Sequence, residues 1–141
     1  MKKALSLILA VIIVISATAC GKTTNNGKMT LVIGAETPVS YEVELDEATT
    51  EKGLLSVLTT LKEKEGLEYE EAGGFINSVE GIELAEGEYI YIYTSNETDF
   101  DVSEYATEME YEGTRLVSTG VGASEMTLEE GVIVYIGKIK F

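Results

Sequence analysis

The chain's single thiol, Cys20, follows Ser16-Ala17-Thr18-Ala19 and precedes Gly21. Small residues before a cysteine suit a signal peptidase that cuts immediately upstream of it. Residues 1–19 supply the rest of that arrangement. Lys2 and Lys3 form a basic start, and an apolar run extends from Ala4 to Ala19. About 16 apolar residues fall short of the roughly 20 a spanning helix wants. The pattern resembles a lipobox, with Ala17 where Leu is usual and Thr18 where Ala or Ser is usual. Cleavage before Cys20 and a diacylglyceryl group on its sulfur are therefore expected, with Cys20 as the lipid attachment residue. Two or more acyl chains anchor a protein stably where one does not. The alternatives are an ordinary signal peptide or an uncleaved anchor with a bystander cysteine.

A second group is aromatic. Tyr89, Tyr91 and Tyr93 alternate with Ile90 and Ile92. On a strand the tyrosines share one face and the isoleucines the other. A tyrosine ladder presents an amphipathic surface to flat or sugar-like ligands. Cross-strand packing of aromatic rings is the alternative use of the same pattern. Tyr89, Tyr91 and Tyr93 are the candidate ligand-binding residues.

The third group is acidic. Glu97, Asp99, Asp101 and Glu104 crowd one loop, and oxygen-rich loops suit Ca²⁺. An EF-hand counted from Asp99 needs Gly at its sixth position and finds Glu104 there. A solvated acidic loop is expected and no metal site is assigned. Gly120-Val121-Gly122-Ala123-Ser124 has no following lysine and no P-loop context, so it reads as a turn.

Composition narrows the chemistry further. The chain has no His and no Trp. Without His there is no His-dependent triad and no His-ligated metal. Ser124 beside Glu125 has no base to activate it. No catalytic residues are assigned, and a non-enzyme is expected. The formal net charge is −15, and loss of Lys2 and Lys3 would make it about −17. So acidic a surface repels nucleic acid. It reads as a solvated exterior, with attraction of cationic partners as the sharper alternative.

These residues need elements to position them. Residues 20–28 (through GKTTNNGK) read as a polar, flexible tether, and 29–141 as one domain. Met29–Gly34 and Val39–Leu45 read as a hairpin; in the second run Val39, Tyr41, Val43 and Leu45 alternate with polar residues. Thr49 or Thr50 offers an N-cap, followed by a helical stripe of Leu54, Leu55, Leu58 and Leu61 that Gly66 can stop. Phe75–Ile82 and Glu88–Thr94 read as strands. Ser95–Glu104 reads as a loop, Thr107–Glu112 and Thr114–Ser118 as weaker strands around Gly113, and Val132–Phe141 as a closing strand. The order β-β-α followed by strands predicts an α+β, β-grasp-like mixed sheet packed on one main helix. One long helix covers one sheet face, with Ile90 and Ile92 turned toward it. The other face is left to water or to a partner.

Four stretches carry a family resemblance. Gly53-Leu54-Leu55-Ser56-Val57-Leu58, Gly74-Phe75-Ile76-Asn77-Ser78-Val79-Glu80-Gly81-Ile82, Tyr89 to Tyr93, and Leu128-Glu129-Glu130-Gly131-Val132 resemble the DUF4430 domain. That domain is similar to the C-terminal β-domain of transcobalamin and intrinsic factor. The resemblance spans roughly Val39 to Phe141. It implies a small β-rich domain outside a cell, often on a Gram-positive lipoprotein. It also implies capture of a small molecule, with cobalamin or another corrinoid as the ligand class. No cofactor is read from the residues themselves. The expected protein is thus a lipid-anchored, extracellular-facing binding module on the cell membrane. The alternative is an accessory or protein-interaction subunit of a surface or uptake assembly.

Overall fold

The computed structural model describes residues 27–34 and 37–140. The expected leader (1–19), the lipid attachment residue Cys20 and most of the tether lie outside the described residues. Among the described residues no helix is long and apolar enough to cross a membrane.

The alternating run expected to form a hairpin does so. β1 (Lys28–Ile33) pairs antiparallel with β2 (Val39–Glu44), with Leu31 opposite Tyr41 and Met29 opposite Val43. β1 begins at Lys28, and Gly27 is already engaged: its carbonyl accepts from Leu45 N–H at 2.9 Å.

The expected N-cap at Thr49 or Thr50 does not open the long helix. Asp46 caps a separate one-turn helix, α1 (Glu47–Thr50), through a capping box. Its side chain accepts from Thr49 N–H at 2.8 Å, and Thr49 Oγ1 accepts from Asp46 N–H at 2.7 Å. The long helix, α2 (Gly53–Glu65), starts after Lys52 with no side-chain cap. Asp46 won because its carboxylate sits three residues before a hydroxyl that can answer it. Gly66 does close α2, in the left-handed conformation.

Gly53 explains the break between the helices. Its φ is +52°, and a Cβ there would stand 2.7 Å from the Ala123 carbonyl oxygen and 2.9 Å from that of Met126. The helix thus begins at a residue on which another backbone segment rests. That segment is a short 3-10 turn at Ala123–Glu125.

The chain then forms a small ribbon, β3 (Tyr69–Ala72) with β4 (Phe75–Val79), and β5 (Glu88–Thr94). β6 (Glu108–Tyr111) and β7 (Thr114–Ser118) make a hairpin across Glu112-Gly113. β8 (Ile133–Lys140) closes the fold. The main sheet has six strands in the order β2-β1-β8-β5-β7-β6. Among the described residues only the neighbours β1 and β8 pair in parallel. A hairpin, a helix and a last strand inserted parallel to the first is the α+β, β-grasp-like arrangement that the element order predicts.

Leu54, Val57, Leu58 and Leu61 of α2 are buried against Leu31, Ile33, Val43, Val134 and Ile136 of the sheet. Ile90 and Ile92 pack on this same core, as the period-two reading requires. Each large aliphatic side chain so buried contributes about 1.5–3 kcal/mol relative to exposure. β3 escapes sequence reading because Tyr69–Ala72 is half-buried or exposed throughout and shows no alternation.

Candidate functional site

The second sheet face is covered by the chain itself at one end and bare at the other. Val32, Leu116 and Tyr135 are buried there, with Tyr93, Met109, Tyr111 and Ile133 packed around them. Alternation along three strands produces this cluster. Leu31 and Ile33 point to the helix, so Val32 points away. Val134 and Ile136 point to the helix, so Tyr135 points away. Tyr135 is in register with both Val32 and Tyr93.

The three tyrosines of β5 form a gradient of burial. Tyr93 lies in the cluster, and its hydroxyl accepts from Thr107 Oγ1 at 3.3 Å. Tyr91 is half-buried and meets Tyr93 edge-on, with ring centroids 5.4 Å apart and planes inclined at 67°. Tyr89 is 56% exposed at the strand's outer end. The structure therefore joins Tyr91 and Tyr93 through their rings and places Tyr89 beyond them.

Two further tyrosines complete the arrangement. Tyr135 and Tyr111 rings lie 5.8 Å apart at 59°. Burial, reinforced by the neighbouring Tyr111, raises the Tyr135 hydroxyl above the usual tyrosine range. It therefore remains a neutral donor and acceptor at any ordinary pH. The signal for Tyr135 is present in VIVYIGKIKF, where Ile133, Tyr135, Gly137 and Ile139 share a phase. The signal for Tyr111 is weak, because its strand is only four residues long.

Glycines keep the middle of this face low. Gly137 is opposite Tyr91, and the neighbouring Gly34 donates its N–H to the Ile136 carbonyl at 3.1 Å. A Cβ on Gly137 would stand 3.2 Å from the Tyr135 ring, so that ring lies along the bare backbone. Beside it is a hollow of about 270 Å³ lined by Gly34, Tyr93, Met109, Tyr135, Gly137 and Ile139, with Glu88, Lys138 and Lys140 also at its wall. Glu88 is held in place by Ala85 N–H at 2.7 Å and Lys138 Nζ at 3.1 Å, and these bonds depress its pKa. Enclosed drug-sized sites usually run to about 300–1,000 Å³. A hollow this shallow can take one ring of a ligand or one face of a larger one.

The acidic loop departs from expectation at one residue. Asp99 is only 3% exposed, in a 3-10 turn capped by Asn96. Its carboxylate accepts from Thr127 N–H at 2.6 Å and Thr127 Oγ1 at 3.2 Å. Asn96 Nδ2 donates to the Thr127 carbonyl at 3.0 Å. Asp99 is thus a clamp between two loops. Among the described residues, no three Cys, Asp or Glu side chains are placed to hold a metal ion.

No protein-family model matches the sequence, and no curated protein matches it either. The fold does have solved relatives. One is a "putative metal binding protein" from Ruminococcus gnavus ATCC 29149, similar at a TM-score of 0.52 with 13% identity, over 82% of this chain and 98% of that one. At that identity the likeness concerns the fold.

Proposed function

We propose that this chain is a non-catalytic binding module, held on the outer side of a bacterial membrane by lipid on Cys20, that captures a small ring-bearing molecule on its tyrosine face. One observation carries the reading. Tyr93 and Tyr135 wall a glycine-floored hollow on the face that the helix leaves uncovered, and the Tyr91 and Tyr111 rings pack against theirs. Tyrosine offers a rigid apolar ring and a polar tip at low entropic cost, which suits flat rings and sugars. The resemblance to the DUF4430 domain supports the same reading and makes corrinoids the first class to test. The lack of His, with Cys20 assigned to lipid, supports a non-catalytic role.

A thermal-shift panel tests this directly, because a ligand that binds only the folded state raises Tm by mass action. The probes are a corrinoid, a porphyrin, mono- and disaccharides, and divalent metal salts. A rise with one ring-bearing class, lost in Tyr91→Ala while the ligand-free Tm holds, is the expected result. A rise that survives Tyr91→Ala, a rise with metal salts alone, or no rise at all overturns the assignment. A second reading, an accessory subunit that docks a protein partner, is favoured by the acidity of the exterior.

A further inference from the structure

β5 is paired very unequally on its two sides. β8 pairs with all seven residues from Glu88 to Thr94, whereas β7 pairs only with Tyr93 and Thr94. One more bond, Thr119 N–H to the Ile92 carbonyl at 3.0 Å, ends the ladder on the β7 side. The chain then turns away. Gly120 N–H bonds to the Asp99 carbonyl at 2.8 Å, and Ala123 N–H to the Gly74 carbonyl at 3.1 Å. In an antiparallel ladder the backbone groups of successive residues face opposite neighbours. Ile92 faces β7, so Ile90 faces the same side, where β7 no longer runs. Among the described residues, Ile90 N–H and C=O meet no hydrogen-bond partner.

An apolar groove of about 190 Å³ follows this edge, lined by Gly74, Phe75, Ile76, Ile90, Ile92 and Val121. Phe75 stands at it 70% exposed. Exposed edges are usually guarded by proline, lysine or a bulge. The stretch from Tyr89 to Ile92 contains no proline and no lysine, and its pairing with β8 shows no break in register. Charge then selects the occupant. Between Leu67 and Gly131, which supply both walls of the groove, there are 17 Asp and Glu and one basic residue, Arg115. Arg115 is itself committed to Glu108 and lies over the Phe100 ring. A second copy of this chain would bring the same negative charge to the edge.

We infer that the open edge of β5 takes an extended, basic segment of a partner protein as an additional strand. Main-chain bonds at Ile90 supply register and the groove receives alternate apolar side chains. The basic residues between them meet the surrounding carboxylates. This reading is separate from the tyrosine-face hollow, because the two share no lining residue, although Tyr91 also borders the groove.

The test uses an eight-residue peptide of alternating Val and Lys as the probe, titrated into the intact protein and followed by calorimetry and amide exchange. Binding with at least tenfold slower exchange at Ile90 N–H is expected. Two N-methylated peptides, one blocked at every Val nitrogen and one at every Lys nitrogen, should differ, since only one set faces β5. An alternating Val and Glu peptide should bind at least tenfold more weakly, as should the Val/Lys peptide to Phe75→Ser. Equal binding of both N-methylated peptides, or binding without protection at Ile90, reduces the effect to surface charge and overturns the proposal. Failure of the Val/Lys peptide to bind overturns it too, as does dimerisation through β5 seen in sedimentation.

Discussion

Removing the Asp99 carboxylate should loosen the junction between the two loops that end near the tyrosine face. In Asp99→Ala, Thr127 N–H loses its 2.6 Å acceptor and Thr127 Oγ1 loses its 3.2 Å acceptor. Asp99 is 3% exposed, so water does not readily replace the lost bond. An unsatisfied buried donor costs about 1–3 kcal/mol. Asp99→Asn keeps one carboxamide oxygen as an acceptor, and should cost nearer the 0.5–1.5 kcal/mol of an ordinary hydrogen bond. A domain of about 110 residues unfolds with an entropy near 2.1 cal/mol/K per residue, so 1–3 kcal/mol corresponds to roughly 4–13 °C in Tm. Urea unfolding with an unchanged m-value, alongside thermal melts, reads both variants. The order wild type, Asn, Ala is expected. If Asp99→Ala melts within about 2 °C of wild type, below the range expected for a lost buried bond, Asp99 is not a clamp.

Gly53→Ala combines a left-handed φ of +52° with a Cβ 2.7 Å from the Ala123 carbonyl oxygen. The backbone strain alone costs about 1–3 kcal/mol, and the crowding adds to it; a variant as stable as wild type would show that the 123–126 segment does not rest on α2. The Tyr135 pKa is raised in the folded state, first by burial and then by Tyr111. Its contribution to stability is therefore fully present below the unfolded value near about 10 and lost as pH rises through the folded one. Tyr135→Phe should flatten that alkaline decline in urea melts, and an unaltered decline would assign it to other groups. Cys20→Ser should leave the protein unprocessed and absent from the lipid-labelled membrane fraction. Normal processing and labelling of that variant would contradict lipidation at Cys20.

Much of the fold was legible because alternation and helical periodicity record which face each residue buries. Val39–Leu45 and Glu88–Thr94 show period two and are strands; Leu54, Leu58 and Leu61 show the helical stripe and line the core. The start of α2 was not legible, because Thr49 answers Asp46 in a separate turn and α2 itself begins without a side-chain cap. The β3 strand was not legible because it buries almost nothing. At the candidate site, the shared face of Tyr89, Tyr91 and Tyr93 followed from strand geometry alone. Their unequal burial did not, since it depends on where the β6–β7 hairpin crosses the sheet. Asp99 looked like its acidic neighbours in composition, and only the distant Thr127 distinguishes it.

Ligand should bind where the tyrosines of β5 and β8 meet. The chain has eight tyrosines and no tryptophan, so ring NMR resonances report each surface separately. Titration with the ring-bearing compound that raises Tm should shift Tyr91, Tyr93 and Tyr135. Tyr69, on the separate β3–β4 ribbon, and Tyr105, 75% exposed in a loop, should stay unmoved. Shifts confined to Tyr69 or Tyr105, with Tyr91 unaffected, would place the ligand away from the tyrosine face.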